Sequence, residues 1–588
     1  MDKYNLTSKF KGYRTKKDKT KLAKGYLVEG SQNVLSTDGE NIKIRKGYTL
    51  YGAANSALNA IESSYDWATH NAQERNLRSY DDELEVYYDS AWRRVADGWT
   101  AVDFQYVNYW DTDESEDIML FVNGDSNVYS WSGGATTILS ATSNTITKNG
   151  TTTWVEERFV TGTTYDKIVT INGTDYTYTG GQGTTTLTGV SPDPSGEAVD
   201  SVALQAVTTH TNIPASGVKN DIIGILDNQV YYGNLTNRQV FKSKVNDFLT
   251  VTFSSPRLPG EGALLTLDSS PIGFVVQESA MYIAAGKSEW YKTVFTLSAD
   301  LTKESLAVNR LNTTAQEAAI SQSAIGKIKN SVVYISNEPT VDTLGRVENI
   351  DTPQSKPISD SIKPTLDGYD LTNSHVQYYK NNLYIAIPNE SIVLVYNIEK
   401  GFWEAPQILP VARFAIIDGE LYGHSNSVPE TYKLFTGHND NENPINAIAK
   451  FSYRNYGDRV NYKNVDELYA EGYISSNTTL THTINYDYKG YSSIKEFDIK
   501  GNDDSILFKS DSSNSLGKNS FGKEPLGSQT EEADDLNKFR QIDTTTKLPV
   551  FFEDQQIFSS NQINANWELL SFGGNYNKST AKVISIKK

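Results

Sequence analysis

A short signature recurs along this chain and narrows the folds open to it: an aliphatic residue or methionine followed by tyrosine, inside a strand-like run. It occurs as Val86-Tyr87, Val128-Tyr129, Val230-Tyr231, Met281-Tyr282, Val333-Tyr334, Leu383-Tyr384 and Leu421-Tyr422. The tyrosines lie 42, 102, 51, 52, 50 and 38 residues apart. Six of the seven flanks also look alike, as in Asp227-Asn228-Gln229-Val230-Tyr231, Lys380-Asn381-Asn382-Leu383-Tyr384 and Asp418-Gly419-Glu420-Leu421-Tyr422. In each, a polar hairpin turn leads into a run suited to a buried strand. A strand-built repeat of roughly 40–50 residues is the mark of a propeller blade. A single small sheet cannot cover both of its faces, and stacking such sheets in a ring does. The 102-residue gap is one blade too long, which predicts an inserted β domain over residues 134–216, a Thr- and Gly-rich stretch.

The rest of the chain fits an all-β architecture. From about residue 80 to 437, apolar and aromatic residues alternate in short runs between Asn, Asp, Gly and Ser clusters. With 36 Tyr, 21 Phe and 9 Trp, the chain can build large cores, which excludes wholesale disorder. Helix is scarce; the best candidate lies between Leu301 and Ile325, opening near Thr313 behind a threonine cap. The run His438-Asn439-Asp440-Asn441-Glu442-Asn443-Pro444 reads as a linker. Beyond it, Tyr469–Ile474, Thr479–Tyr488, Ile557–Ser559 and Trp567–Phe572 read as strands of a second, sandwich-like domain. The predicted order is a basic arm (1–24), an N-terminal segment with the first blades (25–133), the insertion (134–216), the remaining blades (217–437) and a C-terminal β domain (445–588). The propeller is expected to have six or seven blades.

Charge is distributed unevenly. The first 24 residues hold nine basic residues against Asp2 and Asp18, in a chain whose net charge is −18. Lys9, Lys11, Arg14, Lys16, Lys17, Lys19, Lys21 and Lys24 therefore read as a self-repelling arm that could dock on an acidic partner, the plainer reading being a frayed terminus. Such an arm offers few apolar groups, so the propeller is expected to fold without it. The acidic remainder argues against a broad grip on nucleic-acid phosphates and permits a surface past which a duplex slides. Two acidic clusters are candidates to line such a passage: Asp111, Asp113, Glu114, Glu116 and Asp117, and Glu531, Glu532, Asp534 and Asp535. An outward-facing, solvated hairpin tip is the plainer reading of the first.

No motif carries catalytic chemistry. Cysteine is absent, so disulfides, thiolate metal sites and a cysteine nucleophile are excluded. Gly517-Lys518-Asn519-Ser520-Phe521-Gly522-Lys523 fits half of a phosphate-binding loop, but Glu524 and Pro525 follow where a Ser or Thr and a helix are needed. His70, His210, His375, His424, His438 and His482 never pair at metal-ligand spacing and read as surface or loop residues. The acidic run at 111–117 lacks the glycine and closing glutamate of a calcium loop. No cofactor, no metal and no enzymatic activity are expected. No apolar run is long enough for a spanning helix, and no signal peptide is read at the start.

Four sets of segments resemble the tail nozzle proteins of short-tailed bacteriophages, also called tail tubular protein B; the tail hub and packaged-DNA stabilisation proteins are similar. The first is 25–34, GYLVEGSQNV, followed by 38–48, DGENIKIRKGY. The second is 228–232, NQVYY, with 243–248, SKVNDF. The third is 379–386, YKNNLYIA, with 393–397, VLVYN, and 400–403, KGFW. The fourth is Ser515-Leu516-Gly517, Phe521-Gly522 and Pro525-Leu526-Gly527, then Trp567-Glu568-Leu569. The resemblance implies a homohexameric ring in the virion tail, made in the host cytoplasm. It implies adaptor and portal proteins above, tail fibre or spike proteins around, and double-stranded DNA passing through an acidic lumen without sequence-specific binding. The alternative is a receptor-binding tail protein whose exposed Trp99, Trp110, Trp131 and Trp154 stack on sugars, although tryptophans are more often core.

Overall fold

The computed structural model describes the chain except for residues 1, 5–9, 18–21, 23–24, 38–40, 55–57, 70–72, 113, 256, 278, 299–301, 312–316, 329–330, 346–353, 455–462, 487–493, 503–506, 509–535, 544–553 and 579–588. Among the described residues, seven sheets of four or more antiparallel strands follow one another, and the fold is an all-β propeller. The blades span 63–96, 105–131 with 208–210, 222–266, 271–310, 325–357, 375–408 and 411–434. The last is completed by Tyr48–Tyr51, which pairs with Thr431–Leu434. A strand from early in the chain thus supplies the fourth strand of blade 7, a closure that ties chain start to ring end. At the seam, Tyr51 packs between Tyr422 of its own blade and Tyr87 of blade 1, at 4.7 and 4.3 Å between ring centroids.

The dyad signature has a plain physical cause. Neighbouring residues in a strand face opposite sides of the sheet, so a strand covered on both sides needs two large apolar residues in a row. Val230 packs into the core between blades 2 and 3, and Tyr231 into the one between blades 3 and 4. Met281 joins Tyr231 in the core between blades 3 and 4 and Tyr282 enters the next, and Leu383 and Tyr384 serve the cores on either side of blade 6. In blade 5 the register is shifted by one: Val333 faces blade 6 and Tyr334 faces blade 4. Five dyads sit on the second strand of their blades, whereas Val86-Tyr87 sits on the third strand of blade 1. Val128-Tyr129 sits on the third strand of blade 2, whose second strand carries Met119, Leu120 and Phe121 instead. The expected polar turns are present. Asp227 and Asn228 have φ of 51° and 53°, and Lys380 and Asn381 of 42° and 61°, the paired left-handed residues of a tight hairpin.

The segment 135–205 forms β structure of its own, within narrower limits than the expected 134–216. Its strands run from Ala135–Ala141 to Val202–Gln205 in one six-stranded path, and Thr208–His210 already belongs to blade 2. Two other expectations fail. Glu304–Arg310 is a strand paired with Glu289–Leu297, where a helix was expected, and Glu317–Ser323 is not helical either. The α-helix of the described residues is a single turn, Lys363–Leu366. The expected linker at 438–444 is a small hairpin, Asn439–Asp440 against Asn443–Pro444, joined to the closing strand of blade 7.

The C-terminal region is a sandwich that both ends of the chain build. One sheet joins Lys463–Ser475, Leu536–Asp543, Leu507–Phe508 and Trp567–Lys578 to the N-terminal strands Val34–Thr37, Asn41–Ile44 and Asp2–Tyr4. The other joins Ala447–Lys450, Asp554–Ser560, Thr479–Tyr486 and Ile494–Lys500. Phe558 and Phe572 meet across the two layers at 5.3 Å. This core continues into blades 5 and 6 without a break, through Ile44, Val333, Leu383 and Trp403.

Candidate functional site

The first acidic cluster does not form a solvated tip. It lies at the hairpin between the first two strands of blade 2, on the side from which the insertion leaves. Asp111 and Asp117 are buried. Asp111 accepts from the Tyr165 hydroxyl, and Asp117 accepts from Asn108 Nδ2 at 3.0 Å. Glu114 accepts from the Thr161 amide at 3.0 Å and from the Gly162 amide. Glu116 pairs with Arg158 at 3.5 Å, and burial pushes its carboxyl up despite that guanidinium. Arg158 itself is buried, donates to the Ser132 carbonyl at 2.5 Å and lies 4.9 Å over the Trp67 ring. Asp111, Glu114 and Glu116 form a socket that holds the insertion to blade 2, and the burial of Asp111 and Asp117 corrects their reading as a solvated hairpin tip. Asp113 and the second cluster, Glu531, Glu532, Asp534 and Asp535, lie outside the described residues, as does the 517–523 loop.

The basic arm is likewise tied to its own chain. Phe10 and Tyr13 are buried in the core shared with blade 6, and Phe10 meets Phe402 edge-on at 5.1 Å. Gly12–Tyr13 pairs in parallel with Tyr26–Leu27. Arg14 lies over the Tyr26 ring, and Lys16 pairs with Asp360. Lys11 and Lys17 are exposed. Lys9, Lys19, Lys21 and Lys24 lie outside the described residues. The expectation that the arm offers little to a core is therefore corrected: charge dominates its composition, but Phe10 and Tyr13 face inward.

At the propeller axis, a cavity of about 190 Å³ is lined by the starts of the inner strands, including Ser64, Gln105, His375 and Arg413, with Asp103 at its edge. Inner strands expose backbone groups that no further strand pairs. Side chains of the adjacent blades close them. His375 Nδ1 accepts from the Phe414 amide at 3.1 Å, and Gln322 accepts from the Phe274 amide at 2.6 Å. Asp66 of blade 1 accepts from the Ile416 amide of blade 7. An accepting Nδ1 requires a neutral ring, and burial, helped by the Arg413 charge, pulls His375 down to about 3. Burial likewise lowers His210 to about 4 and His424 to about 3. His210, His424 and His482 are buried within strands, which corrects their reading as surface or loop residues; His482 stacks on Phe558 at 4.2 Å. Among the described residues no group of three His, Asp or Glu is arranged to hold a metal.

Two buried polar links escaped sequence reasoning. Arg45 is fully buried and makes two 2.6 Å bonds to Asp440, fixing the segment before the closing strand to the small hairpin after blade 7. Glu404 of blade 6 accepts from the Ser36 amide at 3.0 Å and the Ser36 hydroxyl at 2.5 Å, with no cation in reach among the described residues. Burial raises its carboxyl to about 7. Neither pair has a local sequence signal, since each partner lies more than 350 residues away. Of the tryptophans proposed to stack on sugars, Trp131 and Trp154 are core, Trp99 packs on Phe104 and Tyr129, and Trp110 is 37% exposed.

The fold defines a seven-bladed propeller with an inserted β domain and a woven C-terminal sandwich. Solved structures similar to it include Kluyveromyces lactis Hsv2, at 9% identity over 59% of this chain and 97% of that one, with a TM-score of 0.24. BBS1N in complex with ARL6DN matches at 11% over 66% and 98%, TM-score 0.24, and dihydro-heme d1 dehydrogenase NirN in complex with DHE at 9% over 72% of each chain, TM-score 0.29. Similarity this low carries no argument about function, and the propeller stands on the chain's own sheet order. No protein-family model and no curated protein sequence matches the chain.

Proposed function

We propose that this chain is a structural subunit of a bacteriophage tail nozzle, closing with copies of itself into a homohexameric ring whose lumen passes the genome. One observation carries the reading. Three of the four sets of segments that resemble nozzle proteins, far apart in sequence, contribute to a single apolar core: Leu27, Val34, Ile42 and Ile44 from the first, Leu383, Ile385, Leu394 and Trp403 from the third, Trp567 and Leu569 from the fourth. The resembling residues are thus the ones that weld sandwich to propeller, as expected of a rigid ring component. The net charge of −18 suits a conduit, because carboxylates repel phosphate and keep a duplex from sticking. Lys11 and Lys17 of the arm are exposed and remain available to an acidic neighbour such as the adaptor or portal. Ring closure requires heterologous contacts between subunits. Native mass spectrometry of the protein mixed with its adaptor is expected to show six copies. A stable trimer, or a monomer that binds glycans, would instead favour the receptor-binding reading, for which Trp110 is the most exposed of the four candidate tryptophans.

A further inference from the structure

The cavity at the propeller axis holds two opposite charges side by side. Arg413, on the inner strand of blade 7, is buried, and a 2.9 Å bond from Nη1 to the Asn373 carbonyl fixes its guanidinium. Its Nη2 lies 3.7 Å from Oδ1 of Asp103, a side chain that is 60% exposed. That distance makes an ion pair but exceeds a hydrogen bond, so the pair is not closed, and both residues line the cavity. His375, in the same lining, accepts through Nδ1 and therefore carries its proton on Nε2, a second donor. Burial, then the Asp103 charge, raises the Glu62 carboxyl while Arg413 lowers it, so a second carboxylate stands in the same field. Two carboxylates against one guanidinium disfavour a simple anion, and the guanidinium disfavours a simple cation. A ligand bearing both charges is matched on both. In an α-amino acid the ammonium nitrogen lies about 3 Å from the carboxylate oxygens. Laid antiparallel along the Arg413–Asp103 pair, it forms both ion pairs at once. The volume of about 190 Å³ corresponds to about six waters, enough for an amino acid of similar heavy-atom count.

We propose that the axial cavity binds a small zwitterionic α-amino acid, its carboxylate on the Arg413 guanidinium and its ammonium on the Asp103 carboxylate. Ile325, in the same lining, offers an apolar surface to a short alkyl side chain. The site lies within one chain and needs no ring, so it stands or falls apart from the nozzle reading.

Calorimetric titration of the full chain with alanine, propanoate and alaninamide tests it. The three are of similar size, and they carry both charges, the negative charge alone and the positive charge alone. Alanine is expected to bind, and each singly charged probe about tenfold more weakly or not at all. Asp103→Asn changes an exposed side chain and leaves the fold intact, which thermal unfolding checks. It is expected to weaken alanine binding about tenfold and to abolish the preference for alanine over propanoate. Arg413→Gln is expected to abolish the preference for alanine over alaninamide; if that variant fails to fold, Asp103→Asn still decides. Alanine binding no tighter than propanoate or alaninamide, unchanged discrimination in Asp103→Asn, or no detectable binding of alanine would overturn the proposal.

Discussion

The propeller carries two additions, and they are joined to it in opposite ways. The insertion leaves blade 2 after Trp131 and returns at Thr208, and its core of Ile138, Ile146, Trp154, Val169, Tyr176 and Leu187 draws only on its own residues. It meets the propeller through a polar socket around Arg158 and Asp111 and through a few apolar residues, Ala135 and Leu204 in the core of blades 1 and 2 and Val160 and Tyr165 in that of blades 2 and 3. Among the described residues, the buried apolar side chains of the sandwich share one cluster with blades 5 and 6 and with strands from the start of the chain. Sequence locality accounts for the difference. A segment that starts and ends on paired strands closes no long loop and can be independent, whereas one built from both chain ends folds only when the ring between them does.

The largest effect is expected from the woven junction. Deleting residues 1–24 removes Phe10 and Tyr13 from the shared core and the strand Asp2–Tyr4 from the sandwich. Loss of one such aromatic costs about 3–5 kcal/mol, so blade 6 and the sandwich should unfold together at a clearly lower temperature. Unchanged thermal unfolding of the truncated chain would show that the weld is only apparent.

Arg45→Ala should come next. It strands Asp440 and opens the closure of blade 7, at a cost of about 3–5 kcal/mol, measurable by urea unfolding. Arg45→Lys keeps the charge but not the two-pronged geometry, and should lose less.

Glu404 predicts a pH dependence. Its carboxyl rises from an ordinary 4.5 to about 7 in the folded chain. A raised folded value means that the folded state holds its proton more tightly. The stabilisation is therefore complete below pH 4.5 and is lost as pH rises through about 7. The full loss is on the order of 3 kcal/mol. Glu404→Gln should flatten that part of the stability profile, read as urea midpoints between pH 5 and pH 8.

The smallest effect on the propeller is expected from excising 135–205 and joining its flanks with a short turn. The excised segment should fold alone, and the propeller should lose about 1–2 kcal/mol as Asp111 and Glu114 exchange their partners in the insertion for water. Near-ultraviolet circular dichroism of both pieces checks this. Collapse of the propeller would break the contrast between the two additions.

How much of this was legible follows from which interactions are local. The dyads gave away the blades because two-sided burial imposes two apolar residues in a row, a pattern visible within one strand. In blades 1 and 2 the dyad lies on the third strand, and the second strand of blade 2 carries Phe121 where blades 3 to 7 carry tyrosine. The return strand Thr208–His210 is three polar residues long and carries no periodicity, so the insertion was drawn too wide. Glu304–Arg310 has helix-favouring Leu and Ala, but pairing with Glu289–Leu297 overrides propensity. The acidic hairpin and the arm mislead for one reason: charge is visible in sequence, while the contacts that draw them inward, Arg158 for Glu116 and the blade 6 core for Phe10, lie in distant segments.

The central claim is that propeller and sandwich form one cooperative body with the insertion appended. Hydrogen exchange of the full chain across a range of sub-denaturing urea tests it most directly. The amides of His375–Tyr379 in blade 6 and of Thr479–Tyr486 in the sandwich should lose protection at the same urea concentration, and those of Ile168–Ile171 in the insertion at a different one. Loss of protection in the sandwich while blade 6 stays protected would contradict the account.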